Sequence, residues 1–224
     1  MFSSAEDAGR RRVVVLGSQV LEDLGAGTPD AIIGESVRID AVQFEVVGVL
    51  ASKGQGAGFG NPDDQVLIPV RTAQEMRDQV FANLDEATIV IKAAAVADYH
   101  LSRVPQQKMK KTAARLSLEL DPTTDILAEL GRKKGDRLLI GFAAETENLT
   151  QEARRKLDSK NCDMIVGNLV GEELGFESDQ NEVVLALRTG DTVALPKASK
   201  REVADRIFDE ILKLRLALHA LDGR

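Results

Sequence analysis

The stretch from Ala87 to Lys111, ATIVIKAAAVADYHLSRVPQQKMKK, decides how the rest of the chain is read. Ile89-Val90-Ile91 is a short β-branched apolar run, the composition of a buried strand. Ala93, Ala94, Ala95 and Ala97 follow, small residues that let something approach the backbone closely. Asp98 stands just past them, at the expected carboxyl end of the strand, where open α/β sheets bind ligands. Lys108, Lys110 and Lys111 then collect positive charge in the segment leaving that edge. A carboxylate and several ammonium groups at a strand end suit an anion with a bound divalent metal, such as a nucleotide triphosphate. A core strand followed by a solvated basic loop is the plainer alternative.

Downstream, the pattern of strand and helix continues. Leu116 to Leu120 alternates as a strand, which Asp121-Pro122 should break. Thr123 or Thr124 can cap a helix running through Asp125, Leu127 and Leu130 and closed by Gly131. Leu138 to Ala143 is a second buried strand, ending in small residues and Glu145. Asn148 with Gln151 resembles a capping box opening a helix that reaches Leu157 or beyond. Lys156 and Lys160 share one face of that helix if it continues that far. Met164-Ile165-Val166 is a third buried strand, followed by Gly167-Asn168. The order predicts a parallel sheet with right-handed crossovers. Glu182 to Leu187 and Thr192 to Leu195 read as a hairpin. Ser199 with Glu202 opens a last helix with Val203, Ile207, Ile211 and Leu214 on one side.

Upstream, the chain is β-rich. Val13 to Leu16 is a strand, and Ser18 to Leu24 a short helix ended by Gly25. Ser36 to Ile39 pairs with Phe44 to Leu50 as a hairpin, and Gln65 to Val70 is an edge strand because it contains Pro69. The glycine-rich loop from Gly54 to Gly60 has no Gly-Lys-Ser/Thr and leads into a strand, so it reads as a surface loop rather than a phosphate cradle. Ala73 to Leu84 is an amphipathic helix with Met76, Val80 and Phe81 as its apolar face.

The chain has 224 residues, enough for one large domain or two small ones with a proper core. Its net charge of −7 argues against a nucleic-acid binder, so an anion site has to be a local basic patch. The one cysteine, Cys162, excludes an internal disulfide and reads as a small buried hydrophobe. No apolar run has the length of a membrane span and the start lacks a signal-peptide core, so the expected location is cytoplasmic, with no membrane partner. His100 and His219 carry no metal or triad pattern. The expected fold class is α/β, a Rossmann-like mostly parallel sheet with helices and a C-terminal β-hairpin, plus a small β-rich N-terminal lobe. The boundaries are a disordered leader at 1–12, the β-rich segment at 13–70, the α/β domain at 71–217 and a tail at 218–224.

AAAVADY, KMKK, GFAAET, the Ala-Arg-Arg-Lys helix, MIVGN and GFESDQNEV resemble the C-terminal half of phosphopantothenate–cysteine ligase, from about Val70 to Leu214. That half commonly belongs to the bifunctional phosphopantothenoylcysteine decarboxylase/ligase of coenzyme A synthesis. The resemblance implies a ligase that joins 4′-phosphopantothenate to L-cysteine with CTP and Mg²⁺, through an acyl-cytidylate, and no flavin in this part. It implies that the nucleotide lies along Lys92, Ala93 and Ala94 with Asp98 beside it, Asp98 also serving the metal. Lys108, at the head of the KxKK motif, is implied as the nucleotide-binding catalytic lysine. Thr124, Asp125, Ile126, Leu127, Phe142, Lys156 and Lys160 match the remaining nucleotide contacts. By residue type alone, Phe142 fits a core position as well as a base contact, and the two lysines fit a solvated face. Asn168 and Asn181 are candidates for ordering the loops of the site. The family is usually dimeric, partly through an extended hairpin, which Glu182 to Leu195 supplies.

LGSQVLEDL, GESVRID, FEVVGVLASKGQGAGFGN and DDQVLIPVRTAQ resemble the periplasmic domain of MacB-type ABC transporter permeases, over about Val13 to Gln74. The ligase family's first half carries a glycine/serine-rich phosphate-gripping loop near an essential Asn, and this transporter-like segment stands in its place. The alternative function is a non-catalytic binding or interaction module carrying that fragment.

Overall fold

The computed structural model describes residues 12–39, 42–54, 61, 63–103, 117–170 and 179–222, without the side chains of 219–222. The chain forms two compact units that meet in sequence between Ala82 and Asn83.

In the first unit, β1 (Val13–Leu16) is the apolar centre of a four-stranded sheet. It pairs in parallel with β3 (Val42–Val49), which forms the expected hairpin with β2 (Ser36–Ile39). The expected short helix is α1 (Ser18–Asp23), closed at Gly25 with φ +70°. Val14, Leu16, Leu21, Ile32, Phe44 and Val46 make the core. Gly17 is required by proximity, since a Cβ there would lie 2.1 Å from the Asp63 carbonyl oxygen. The expected strand over Gln65–Val70 shortens to β4 (Val66–Leu67), antiparallel to β1. Pro69 follows it and has no N–H to extend the ladder. α2 (Ala73–Ala82) ends two residues earlier than the periodicity suggests.

The second unit is built on a five-stranded sheet whose order is β11-β10-β9-β8-β5. β5 (Ile89–Lys92), β8 (Leu138–Glu145) and β9 (Met164–Leu169) run parallel, as the strand–helix–strand order predicts. β10 (Gln180–Leu187) and β11 (Thr192–Ser199) form the expected hairpin, and β10 also pairs antiparallel with β9, so the sheet is mixed. The crossovers are α3 (Ile126–Lys133) between β5 and β8 and α4 (Leu149–Ser159) between β8 and β9. Ile140, Met164, Ile165, Val166 and Leu185 are fully buried. Each such side chain contributes roughly 1.5–3 kcal/mol.

Strand alternation assigns the faces. A Cβ on Gly141 would meet the Leu127 and Ile165 methyls at 2.6 and 2.7 Å, and one on Gly167 would meet Leu149 of α4 at 3.0 Å. α3 and α4 therefore cover the same face. Ile89 and Leu138 point to the other face, where they share a cleft of about 390 Å³ with Arg215 and Leu218 of α5 (Lys200–Asp222). α5 thus lies across the opposite side. It begins as expected, with the Glu202 N–H donating to Ser199 Oγ at 3.2 Å, and it continues to Asp222, into the stretch expected to be a tail.

Four expectations for this unit change. The strand expected at Leu116–Leu120 is instead β7 (Leu120–Pro122), antiparallel to β6 (Tyr99–Leu101) in a separate two-stranded ribbon. Asp121-Pro122 is tolerated because a ribbon edge does not require the proline N–H. α3 is capped by Asp125, not Thr123 or Thr124, with Oδ1 accepting from the Ala128 N–H at 2.9 Å. Gly131 lies inside α3 rather than closing it. A Cβ there would fall 1.9 Å from the Lys160 carbonyl oxygen, so the glycine lets α3 approach the end of α4. Asn148 does start α4, but from a left-handed conformation (φ 51°) without a side-chain cap bond, so no capping box forms.

Candidate functional site

The carboxyl ends of β5 and β8 and the amino end of α3 converge on one edge of the sheet. Lys92 ends β5, and its Nζ turns back to donate to the Ala94 carbonyl at 2.9 Å. That bond folds the side chain over the start of the small-residue segment. Burial lowers the pKa of the Lys92 ammonium, an effect partly offset by the Asp125 carboxylate. Ala93 and Ala94 are exposed, so their backbone is open to a ligand. Asp98 is also exposed, and its carbonyl accepts the Thr123 N–H at 2.8 Å, tying the segment to β7. His100 Nδ1 lies 3.3 Å from Thr123 Oγ1 at the same junction, a contact between distant residues that no local pattern reveals.

Asp125 is the hub. While Oδ1 caps α3, Oδ2 accepts from Lys160 Nζ at 2.5 Å. Burial raises its pKa, but the Lys160 hydrogen bond, the Ala128 N–H and the charges of Lys160 and Lys92 hold the carboxyl below its usual value overall. Thr124 is exposed beside it. Ile126 and Leu127 are 2% and 8% exposed, so at these two positions only the backbone of the helix amino end faces outward. Phe142 is half-buried on β8, on the face opposite Gly141.

Lys156 and Lys160 are not a solvated helix face. Lys156 Nζ meets Glu145 Oε1 at the end of β8 at 2.5 Å, as Lys160 meets Asp125 at the start of α3. α4 therefore holds two ammonium groups against the sheet edge. In the sequence Glu145 is only a strand end; its partner on a neighbouring helix is a tertiary contact without a local signal. Lys108, Lys110 and Lys111 lie outside the described residues. Among the described residues, no three His, Cys, Asp or Glu side chains come together as a metal cluster. Asp98 carries no ion pair there, and one free carboxylate completed by phosphate oxygens is a donor set that suits Mg²⁺. Asn168 and Asn181 each bury an Oδ1 that has no hydrogen-bond partner among the described residues.

These elements define a Rossmann-like α/β domain with a polar edge at the carboxyl ends of its strands, the edge where open α/β sheets bind ligands. The chain belongs to the family described as the DNA/pantothenate metabolism flavoprotein C-terminal domain, which it matches over residues 50–214. It is 45% identical over 149 residues to the coenzyme A biosynthesis bifunctional protein CoaBC of Bacillus subtilis, covering 66% of this chain and 37% of that protein. It is 36% identical over 187 residues to CoaBC of Mycolicibacterium smegmatis, covering 75% of this chain and 45% of that protein. A crystal structure of the C-terminal domain of CoaBC superposes with a TM-score of 0.54 at 36% identity, covering 66% of this chain and 67% of that one. The chain thus spans about two fifths of the length of these curated relatives. The family match begins at residue 50, inside the stretch that resembles a transporter permease, and the relatives give that second resemblance no support. No helix among the described residues is long and apolar enough to cross a membrane.

Proposed function

We propose that the chain carries the nucleotide-binding part of a CTP-dependent phosphopantothenate–cysteine ligase acting in the cytoplasm in coenzyme A biosynthesis. The observation that carries this reading is the linked row of Lys92, Asp125 and Lys160 at the carboxyl edge of a domain of this family. CTP would lie against the backbone of Lys92, Ala93 and Ala94 and the amino end of α3, at Thr124 to Leu127. Phe142, Lys156 and Lys160 would flank it. The ion pairs with Asp125 and Glu145 keep both α4 lysines in place before an anion arrives.

In the proposed reaction the carboxylate of 4′-phosphopantothenate attacks the α-phosphate of CTP, releasing pyrophosphate and leaving an acyl-cytidylate. The amine of L-cysteine then forms the amide bond and CMP departs. Such displacements depend mainly on positioning and on neutralising developing charge. Lys108 would supply that charge at the reacting phosphate. Asp98 would hold Mg²⁺, which screens the phosphate oxygens when bound. A homodimer is part of this proposal. The relatives do not favour the alternative of a non-catalytic interaction module.

The test is pyrophosphate release from CTP on adding 4′-phosphopantothenate, before any cysteine is present. Release that depends on the acid and disappears in Lys108→Gln supports the reading. Undiminished release by Lys108→Gln would remove Lys108 from its assigned role, and no release from a folded wild-type chain would count against turnover.

A further inference from the structure

On α5, Ile207, Ile211, Arg215 and Leu218 fall at i, i+4, i+8 and i+11, within about 80° of the helix surface. Ile207 and Ile211 are 6% and 0% exposed and belong to the core. The same face then carries an arginine where the pattern asks for an apolar residue. Arg215 lines the cleft of about 390 Å³ between α5 and the sheet, whose apolar wall is Ile89, Leu138 and Leu218.

Asp136 and Arg137 reach this cleft from the turn before β8. The turn is tight, with the Arg137 N–H donating to the Lys134 carbonyl at 3.1 Å and Gly135 at φ +55°. Arg137 is engaged by the chain itself. Its Nε donates to the carbonyls of Leu84 and Ala87 at 2.7 and 3.0 Å, and its other nitrogens reach the Lys134 carbonyl and Asp85. It is a fixed positive wall. Arg215 and Asp136 differ from it, since neither side chain has an ion pair among the described residues. A cation and an anion that line one cleft without pairing leave room between them for a molecule carrying both charges. A bare anion would be repelled by Asp136, and a bare cation by the two arginines.

We propose that the cleft binds a free α-amino acid with an apolar side chain. Its carboxylate meets Arg215, its ammonium meets Asp136, and its side chain lies on Ile89, Leu138 and Leu218. At the volume that water occupies in the liquid, the cleft holds roughly a dozen non-hydrogen atoms, the size of phenylalanine. Ile89 opens β5 and Lys92 closes it, so the site is about 10 Å along the strand from the nucleotide edge. The ligand is therefore not the cysteine of the proposed reaction, and the site stands or falls independently of the ligase reading. A ligand this small in an open cleft binds with a dissociation constant on the order of 1 mM.

The test is titration of the isotope-labelled full chain with L-phenylalanine to about 20 mM, followed by amide chemical shifts. Saturable shifts are expected at Thr88, Ile89 and Leu138, and not at Lys92 or Ala94. Hydrocinnamate, which lacks the ammonium, and phenethylamine, which lacks the carboxylate, should each bind about tenfold more weakly. Arg215→Gln should weaken phenylalanine by a similar factor, and Asp136→Asn should abolish the preference for phenylalanine over hydrocinnamate. Both residues are exposed, so both variants should melt with wild type. Absence of saturable shifts at the cleft in wild type would overturn the proposal. So would hydrocinnamate binding wild type as well as phenylalanine does, or Arg215→Gln binding phenylalanine undiminished.

Discussion

Replacing Gly131 with alanine sets two effects of opposite sign against each other. In an exposed helix interior, Gly→Ala stabilises by about 1 kcal/mol, because glycine loses the most backbone freedom on folding. At Gly131 the new Cβ would lie 1.9 Å from the Lys160 carbonyl oxygen and 2.9 Å from its carbon. Both are backbone atoms at the end of α4, and no rotamer change relieves the clash. An ordinary contact needs about 3.4 Å, so the helices must separate by roughly 1.5 Å. That displacement would break the 2.7 Å bond from Asn161 Nδ2 to the Gly131 carbonyl and pull Asp125 from Lys160. Overpacking costs about 1–3 kcal/mol and a lost hydrogen bond about 1 kcal/mol more. After the propensity gain the net loss is about 1–3 kcal/mol. Equilibrium urea unfolding of Gly131→Ala against wild type measures it directly. A variant as stable as wild type, or more stable, would show that α3 and α4 are not in this close contact.

Cys162 is fully buried, and burial, with the charge of Asp163, pushes its thiol up to about 12. The folded chain therefore holds a proton that the unfolded chain releases near pH 8.5, so stability should fall as pH rises from there towards 12. Labelling by a thiol reagent at pH 8 should be slow in buffer and fast in denaturant; fast labelling of the folded chain would contradict the burial. The Asp125 carboxyl is held below its usual value, so its contribution is present above about pH 3.9 and is lost as pH falls through the depressed value. Asp125→Asn should flatten the acid side of the melting-temperature profile, and an unchanged profile would mean that the Lys160 pairing does not persist in solution. Asp163 is 9% exposed, accepts the Leu139 N–H at 2.8 Å and pairs with Lys134 at 2.5 Å. Asp163→Ala leaves the lysine and the amide without this partner and should cost about 3–5 kcal/mol in urea unfolding; a loss below about 1 kcal/mol would mean that water replaces the carboxylate.

The parallel strands were legible because each is a short, almost wholly apolar run; β8 and β9 are buried as such runs require, whereas β5, expected to be buried, stands at the sheet edge with Ile91 40% exposed. The start of α5 and the hairpin were legible from Ser199 with Glu202 and from Thr189-Gly190-Asp191, whose signals are local. What the sequence hid was tertiary. Asp125 competes with Thr123 and Thr124 for the same cap, and only the position of Lys160 on another helix favours the carboxylate. Gly131 looks like a helix stop until the carbonyl of Lys160 is seen beside it. Tyr99 to Leu101 is too short to show a period, so the ribbon with Leu120 to Pro122 left no trace. The proposed nucleotide contacts rest on resemblance alone, since nothing in the local pattern distinguishes Lys156 and Lys160 from an ordinary charged face.

The most direct test of a nucleotide site on this edge is a thermal-shift titration of the full chain with CTP and Mg²⁺, beside ATP, on wild type and Lys108→Gln. Ligand at one hundred times its dissociation constant stabilises a native state by about 2.7 kcal/mol, which for a chain of this size raises the melting temperature by several degrees. The expected result is a saturable, CTP-selective rise that the variant lacks. A cooperative melt at one temperature, with or without either nucleotide, would contradict the site.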